Sequence, residues 1–246
     1  MKYYHNLYKL KKITVWLDVT TYCNAACPQC HRTNPNGLGK VDWLPLIQWS
    51  LDEFKTAFPK KSLAHIKHFN FCGTWGDPIM NKDILEICEY IIDNSSCYIF
   101  INTNGSFRDE FWWTHLGYII RDRGRVVFDI DGTTQEMHSH YRQKTNLNKI
   151  LKNMKAYSQF GFVHIFTVIY KHNEDYLKDI SKMVTDIVPV DNHMFVPSDR
   201  AHHIDKFIFF NKAGEQKYLE HSPKYGLKAY RSALKMKDNK LVKSRH

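Results

Sequence analysis

Residues 13–20, Ile-Thr-Val-Trp-Leu-Asp-Val-Thr, run straight into Thr21-Tyr22-Cys23-Asn24-Ala25-Ala26-Cys27-Pro28-Gln29-Cys30. The first eight residues are largely β-branched and apolar, the pattern of a buried strand. A C-x3-C-x2-C loop follows, so the strand delivers three thiols within eight residues. Such clustering suits metal rather than disulfides. Three thiolates on one loop can each take one iron of a 4Fe–4S cubane and leave the fourth iron open to an outside chelator. Open coordination marks a catalytic centre rather than a closed structural one. The competing reading is structural zinc with His31 as fourth ligand, but its adjacency to Cys30 strains tetrahedral closure. Ala25 and Ala26 keep the loop small enough to wrap closely.

Outward from this point, β-rich runs recur at 65–72, 97–103, 125–130, 162–170 and 192–196. Helices are predicted over 44–57, 83–93, 108–120, 146–159 and 174–187. Six β/α units within about 185 residues imply parallel strands joined by right-handed crossovers. An incomplete (β/α)6 barrel and a doubly wound sheet both fit this order, and both place chemistry at the C-terminal strand ends. The unusual polar motifs sit at those ends. Gly73-Thr74-Trp75-Gly76-Asp77-Pro78 follows the second run, Thr103-Asn104-Gly105 ends the third, and Asp129-Ile130-Asp131-Gly132 ends the fourth. Four successive strand ends with such residues point to one shared site.

These motifs resemble the radical S-adenosylmethionine (SAM) superfamily over about residues 13–197, and within it the SPASM and twitch branch, many of whose enzymes act on peptides or proteins. The resemblance implies an α/β fold, a partial (β/α)6 TIM-like barrel over 13–197. An N-terminal extension (1–12) precedes it, and a short C-terminal extension with a basic tail (198–246) follows. It implies one 4Fe–4S cluster on Cys23, Cys27 and Cys30, with the open iron chelated by SAM. Reductive cleavage of SAM then gives a 5′-deoxyadenosyl radical that abstracts hydrogen from substrate. An external electron donor such as a flavodoxin or ferredoxin is implied too. Cofactor contacts implied by position are Gly73, Gly76 and Asp77 for the SAM ammonium, Thr103 and Asn104 beside it, Asp129 and Asp131 near the ribose, and Arg142 on the carboxylate. Gln29 stands where relatives carry an aromatic residue that adjoins adenine. A second departure is the lack of any cysteine after Cys97, which removes the auxiliary clusters of the SPASM and twitch enzymes. One cluster is therefore expected, with Cys72, Cys88 and Cys97 as packing residues.

Composition narrows the setting. An apolar content of 43% with 14% aromatics excludes a disordered chain. The longest apolar runs are too short to span a bilayer, and Asp18 interrupts the N-terminal one, so a cytoplasmic protein with no membrane association is expected. The net charge of +10 points to acidic or polyanionic partners without choosing among them. A peptide or protein substrate leads. The alternatives are activation of a glycyl-radical enzyme, modification of a nucleotide or RNA, and a non-catalytic iron–sulfur regulator. Tyr22, His31, Cys72 and Tyr170 are candidates for a proton- or hydrogen-donating group. The His202-His203 pair reads as a solvated loop, and a frayed tail is expected beyond about 232.

Overall fold

Alternation of apolar residues in the β-rich runs fixes which face of the sheet turns to the helices. The computed structural model describes residues 13–200, 203–211, 213–226, 234–237 and 240–243. The N-terminal extension, His202 and part of the basic tail lie outside the described residues. Strands β1 (Ile13–Leu17), β2 (Ile66–Phe71), β3 (Tyr98–Thr103), β4 (Gly124–Asp129), β5 (Phe162–Ile169) and β6 (Val190–Pro197) each pair in parallel with the next. Their spatial order follows the chain without reversal. A doubly wound sheet needs a reversal point, so of the two arrangements the sequence allows, the chain adopts the barrel-type winding.

Seven helices accompany the strands among the described residues: α1 (Leu51–Ala57), α2 (Lys60–Leu63), α3 (Ile84–Asn94), α4 (Glu110–Ile120), α5 (Gln135–Tyr141), α6 (Leu147–Tyr157) and α7 (Leu177–Thr185). Phe69, Phe71, Ile99, Ile101, Val126, Phe128, Val163, Ile165 and Phe195 point outward from the sheet into one core with Phe54, Ile87, Trp113, Ile150 and Ile180 of the helices. Each such side chain, fully buried, contributes about 1.5–3 kcal/mol. Cys88 and Cys97 are buried in this core as expected, whereas Cys72 is half-buried just beyond the end of β2. None of the helices among the described residues is long and apolar enough to cross a membrane.

Local chemistry corrects one boundary and adds one helix. The predicted helix over 44–57 begins only at Leu51, because Ser50 and Glu53 form a reciprocal capping box and Pro45 precedes it. Residues before it stay extended, with a bridge between Thr20 and Gln48. The sequence reading also missed α5, whose seven residues give too short a run for periodicity to reveal.

The C-terminal extension adds β7 (Lys206–Phe210) and β8 (Gln216–Glu220), an antiparallel hairpin, then β9 (Leu234–Lys237) and β10 (Lys240–Lys243). β9 pairs antiparallel with β6 and β10 with β9, so residues 234–237 and 240–243 are strand where a frayed tail was expected. The free backbone groups along β6 supply the partner that composition could not reveal. Among the described residues β1 and β10 are the two edge strands of the sheet.

Candidate active site

β1 ends against a loop that its own small residues let fold tightly. Ala25 and Ala26 are buried, and the Ala26 N–H donates to Gln143 O at 2.9 Å, tying the cysteine loop to the segment after α5. The Cys30 N–H closes a turn on Cys27 O at 3.0 Å. Cys23, Cys27 and Cys30 are unpaired thiols lining one cavity of about 320 Å³, within the range of small-molecule sites. Three thiols on one loop are a donor set that fits a cluster, in which each thiol would meet a different iron. His31 turns away to the surface beside Trp75.

Burial pushes the Cys27 thiol up to about 11, against the pull of Arg142. It raises Cys23 still further, aided by the negative charge of Asp77. Thiols so placed give up their protons on binding a cation. Two N–H groups stand ready near the sulfurs: Asn104 Nδ2 at 3.9 Å from Cys23 Sγ and Arg142 Nη1 at 3.9 Å from Cys27 Sγ.

The loop after β2 is pressed against the cysteine loop. A Cβ on Gly76 would lie 2.1 Å from Thr20 O and 2.8 Å from Tyr22 O, so only glycine fits. The Asp77 N–H donates to Tyr22 O at 2.7 Å, and Asp18 Oδ1 accepts from the N–H groups of Thr74 and Trp75. Arg32 donates to Trp75 O and Thr21 O, stapling the two loops. Asp77 Oδ2 accepts from Thr103 Oγ1 (3.0 Å), Asn104 N (2.8 Å) and Asn104 Nδ2 (2.5 Å). Burial lifts Asp77 to about 6 while those donors pull it down.

The ends of β4 to β6 carry charge. Arg142 Nη1 meets Asp129 at 2.9 Å, and its Nε donates to Asp131 Oδ2 at 2.5 Å. Burial opposes the Arg142 charge, but Asp129 and Asp131 hold its pKa well above the usual range. Burial raises Asp129 to about 7 and raises Asp131, in each case against Arg142. Asp131 also accepts from the Val168 N–H, and the Asp131 N–H donates to His138 Nδ1. Thr145 donates to Arg142 O and so receives a hydrogen from His138 Nε2, which fixes the tautomer of a histidine that burial holds near 3.

Gly73, Gly76, Asp77, Thr103, Asn104, Asp129 and Arg142 all line the cavity with the three thiols. Gln29 and Asp131 do not. The Gln29 amide oxygen accepts from Tyr170 (2.8 Å) and Ser198 (3.0 Å), joining the cysteine loop to the strand ends of β5 and β6. Asp131 is fully buried behind Arg142. Tyr170 is thereby committed to Gln29, and the phenol lining the cavity is Tyr141. Sequence reasoning missed Asp18, Arg32, Ser198 and Arg200. Arg200 enters the cavity from beyond β6 and donates to Gln29 O at 3.2 Å, and no motif marks it in the sequence.

Residues 17–184 match the profile of the Radical SAM superfamily. The probable GTP 3′,8-cyclase of Methanothermobacter marburgensis is 26% identical over 148 residues, which are 59% of this chain and 44% of that protein. The chain thus spans less than half the length of this curated relative. Among solved structures, Streptococcus suis SuiB bound to S-adenosylmethionine aligns with a TM-score of 0.60 at 12% identity, covering 79% of this chain and 44% of SuiB. SuiB bound to its precursor peptide SuiA aligns with a TM-score of 0.60, also at 12% identity, covering 79% of this chain and 42% of SuiB. These likenesses show the shared fold, and the profile covers well over half of the sequence: the chain belongs to the radical SAM superfamily, whose enzymes bind a 4Fe–4S cluster and S-adenosylmethionine.

Proposed function

We propose that this radical SAM enzyme holds a single 4Fe–4S cluster on Cys23, Cys27 and Cys30 and acts on a peptide or protein. When bound, cluster and SAM together supply one electron and a 5′-deoxyadenosyl radical able to abstract hydrogen. The chain's own groups orient and protect. Asp77, held by Thr103 and Asn104, is a fixed acceptor for an ammonium group. Arg142 and Arg200 put positive charge where a carboxylate would lie, and Asp129 offers an acceptor to a ribose hydroxyl. Phe166, Val168 and Val196 form an apolar wall that keeps water from the reacting carbon. Gln29 and Asp131 act one layer back, as positioning residues.

What supports a peptide substrate is the fold shared with SuiB, a structure of which holds its precursor peptide SuiA. A second reading, a nucleotide substrate, draws on the likeness to a GTP 3′,8-cyclase and on three arginines (Arg32, Arg142, Arg200) lining the cavity.

The test is anaerobic reconstitution, then reduction by dithionite with SAM and either a deuterated peptide digest or deuterated GTP. Deuterium in 5′-deoxyadenosine from the peptides alone supports the proposal. Deuterium from GTP alone replaces it with the nucleotide reading. A fully loaded cluster that yields no 5′-deoxyadenosine sinks both.

A further inference from the structure

The cysteine loop is a thin wall with cavities on both sides. Cys23, Ala25 and Arg32 line the large cavity and also a second one of about 260 Å³, whose other walls include Leu38, Lys40 and Lys144. Leu46 forms part of the rim of this second cavity, and Trp43, Leu46 and Ile47 around it are 64, 47 and 58% exposed. Three large apolar side chains on one short loop are more than an ordinary surface needs to show.

A series of rings leads from the same patch along the surface to the cysteine loop. The Trp43 ring meets Trp75 edge-on at 5.4 Å, Trp75 lies 6.2 Å from His31, and His31 is bonded to Cys30. Trp75 is held in place by Arg32 Nε on its carbonyl and Asp18 on its N–H. Among the described residues the second cavity is lined by Arg32, Lys40 and Lys144 and by no carboxylate, while Asp42 stands next to Trp43 and Asp18 accepts from the Trp75 N–H.

We propose that the Trp43, Leu46 and Ile47 patch is the docking surface for an acidic one-electron carrier protein, and that Trp75 and His31 form the path from it along the outer side of the cysteine loop to Cys30. This rests on the reading of Cys23, Cys27 and Cys30 as cluster ligands. The position fits the task. The large cavity must be closed by SAM and substrate during turnover, so an electron has to enter through the other side of the loop. An apolar patch beside a cavity lined by three cations is complementary to a carrier whose exposed cofactor edge sits in an acidic rim. In the transfer the carrier is oxidised by one electron and the cluster reduced by one, and no bond forms or breaks in the chain.

Reduced flavodoxin serves as the probe, with dithionite as the small-molecule control. Calorimetry measures flavodoxin binding to the chain with and without the cluster, and electron paramagnetic resonance follows cluster reduction. The double substitution Leu46→Glu with Ile47→Glu is expected to weaken flavodoxin binding about tenfold and to slow flavodoxin-driven reduction about as much. Iron content and dithionite-driven reduction stay unchanged. Raising the salt is expected to weaken binding to the unsubstituted chain. Trp43→Ala slows the flavodoxin-driven step more than it weakens binding, and Trp43→Phe restores most of the rate.

Unchanged flavodoxin binding and reduction in the double variant would overturn the proposal. So would an equal loss with both reductants, which makes the patch a support for the loop. Light scattering that shows the patch buried between two copies of the chain would also overturn it. Failure of the underlying reading is seen separately, as an unsubstituted chain that holds no cluster or gives no 5′-deoxyadenosine with dithionite.

Discussion

The two walls of the cavity are held by different forces. On the side of β1 to β3 the contacts are backbone to backbone, or short neutral donors on one carboxylate: Gly76 against Thr20 and Tyr22, the Asp77 N–H on Tyr22 O, and Thr103 and Asn104 on Asp77. On the side of β4 to β6 one guanidinium sits between two buried carboxylates, backed by His138 and Thr145. The first wall depends on shape and hydrogen-bond geometry, so it tolerates almost no added atom. The second depends on charge balance, so it tolerates shape changes poorly only where they leave a charge alone. Substitutions on each wall should therefore fail in distinguishable ways.

The largest effect is expected at Gly76. In Gly76→Ala the new methyl meets the Thr20 carbonyl, which belongs to backbone and cannot swing aside. We expect a loss of more than about 4 kcal/mol in urea unfolding of the cluster-free chain, together with failure to bind iron. Normal iron loading in this variant would break the claim that the first wall is fixed by contact.

Next is Arg142→Met, which leaves Asp129 and Asp131 buried without their cation, at a cost of about 3 kcal/mol at pH 8. The sign of its pH dependence is definite. Burial already raises Asp129 to about 7 with Arg142 present, and removing Arg142 raises both carboxyls further. The folded variant then holds protons that the unfolded chain, near 3.9, releases, so its deficit against the unsubstituted protein shrinks as pH falls from 8 toward 5. Urea midpoints for the pair at both pH values check this, and a deficit independent of pH would erase the distinction between the walls. Arg142→Lys should rescue little, since an ammonium cannot reproduce the fork that reaches both carboxylates.

How much of this was legible beforehand divides along the same line. Motifs local in sequence, Cys23 to Cys30, Gly73 to Asp77 and Thr103-Asn104, could be read because strand ends gather them and each carries its chemistry within a few residues. The strand sequence was equally visible, since alternation such as that of Val163, Ile165, Thr167 and Ile169 is a local signal. Gln29 was not interpretable, because its partners Tyr170 and Ser198 lie more than a hundred residues away. Arg200 and Asp18 stand outside any motif, and what they touch is decided only when the strands close around the loop. The pairing of β9 on β6 was hidden for a similar reason: a basic stretch reads as solvent-loving until an open edge accepts it.

A milder test returns to the first wall. Thr103 donates to Asp77 at 3.0 Å and accepts from the Gly105 N–H at 2.9 Å. Thr103→Val keeps the shape and loses both bonds, for about 1–2 kcal/mol. Thr103→Ser keeps the hydroxyl and should recover most of that, limited by one lost methyl. Rescue by serine here beside failure of lysine at Arg142 would sharpen the comparison. If serine is as damaging as valine, packing rather than hydrogen bonding holds Thr103.

The smallest effect is expected behind the second wall, at His193 on β6. Thr167 gives its hydrogen to Ile130 O at 2.6 Å, so it can only accept from His193 Nε2 at 2.8 Å. That leaves Nδ1 as a buried acceptor with no hydrogen-bond partner, in a ring stacked 3.9 Å from Phe195. Burial lowers the His193 pKa to about 3. Below the unfolded value near 6.5 the unfolded chain takes up a proton that the folded chain refuses, so stability falls as pH drops from 6.5 toward 3, by at most about 1.4 kcal/mol per pH unit for this residue. His193→Leu fills the space and removes the proton. It should match the unsubstituted chain within about 0.5 kcal/mol at pH 8, Thr167 keeping its bond to Ile130. At pH 6 it should stand about 0.8 kcal/mol above it, relative to their difference at pH 8. Both variants gain on the unsubstituted chain as pH falls, for opposite reasons: in Arg142→Met buried carboxyls take up protons, whereas His193→Leu removes a buried group that refuses one. Parallel pH curves for His193→Leu and the unsubstituted chain would mean that water reaches Nδ1, and the charge-governed region would then end at Asp131.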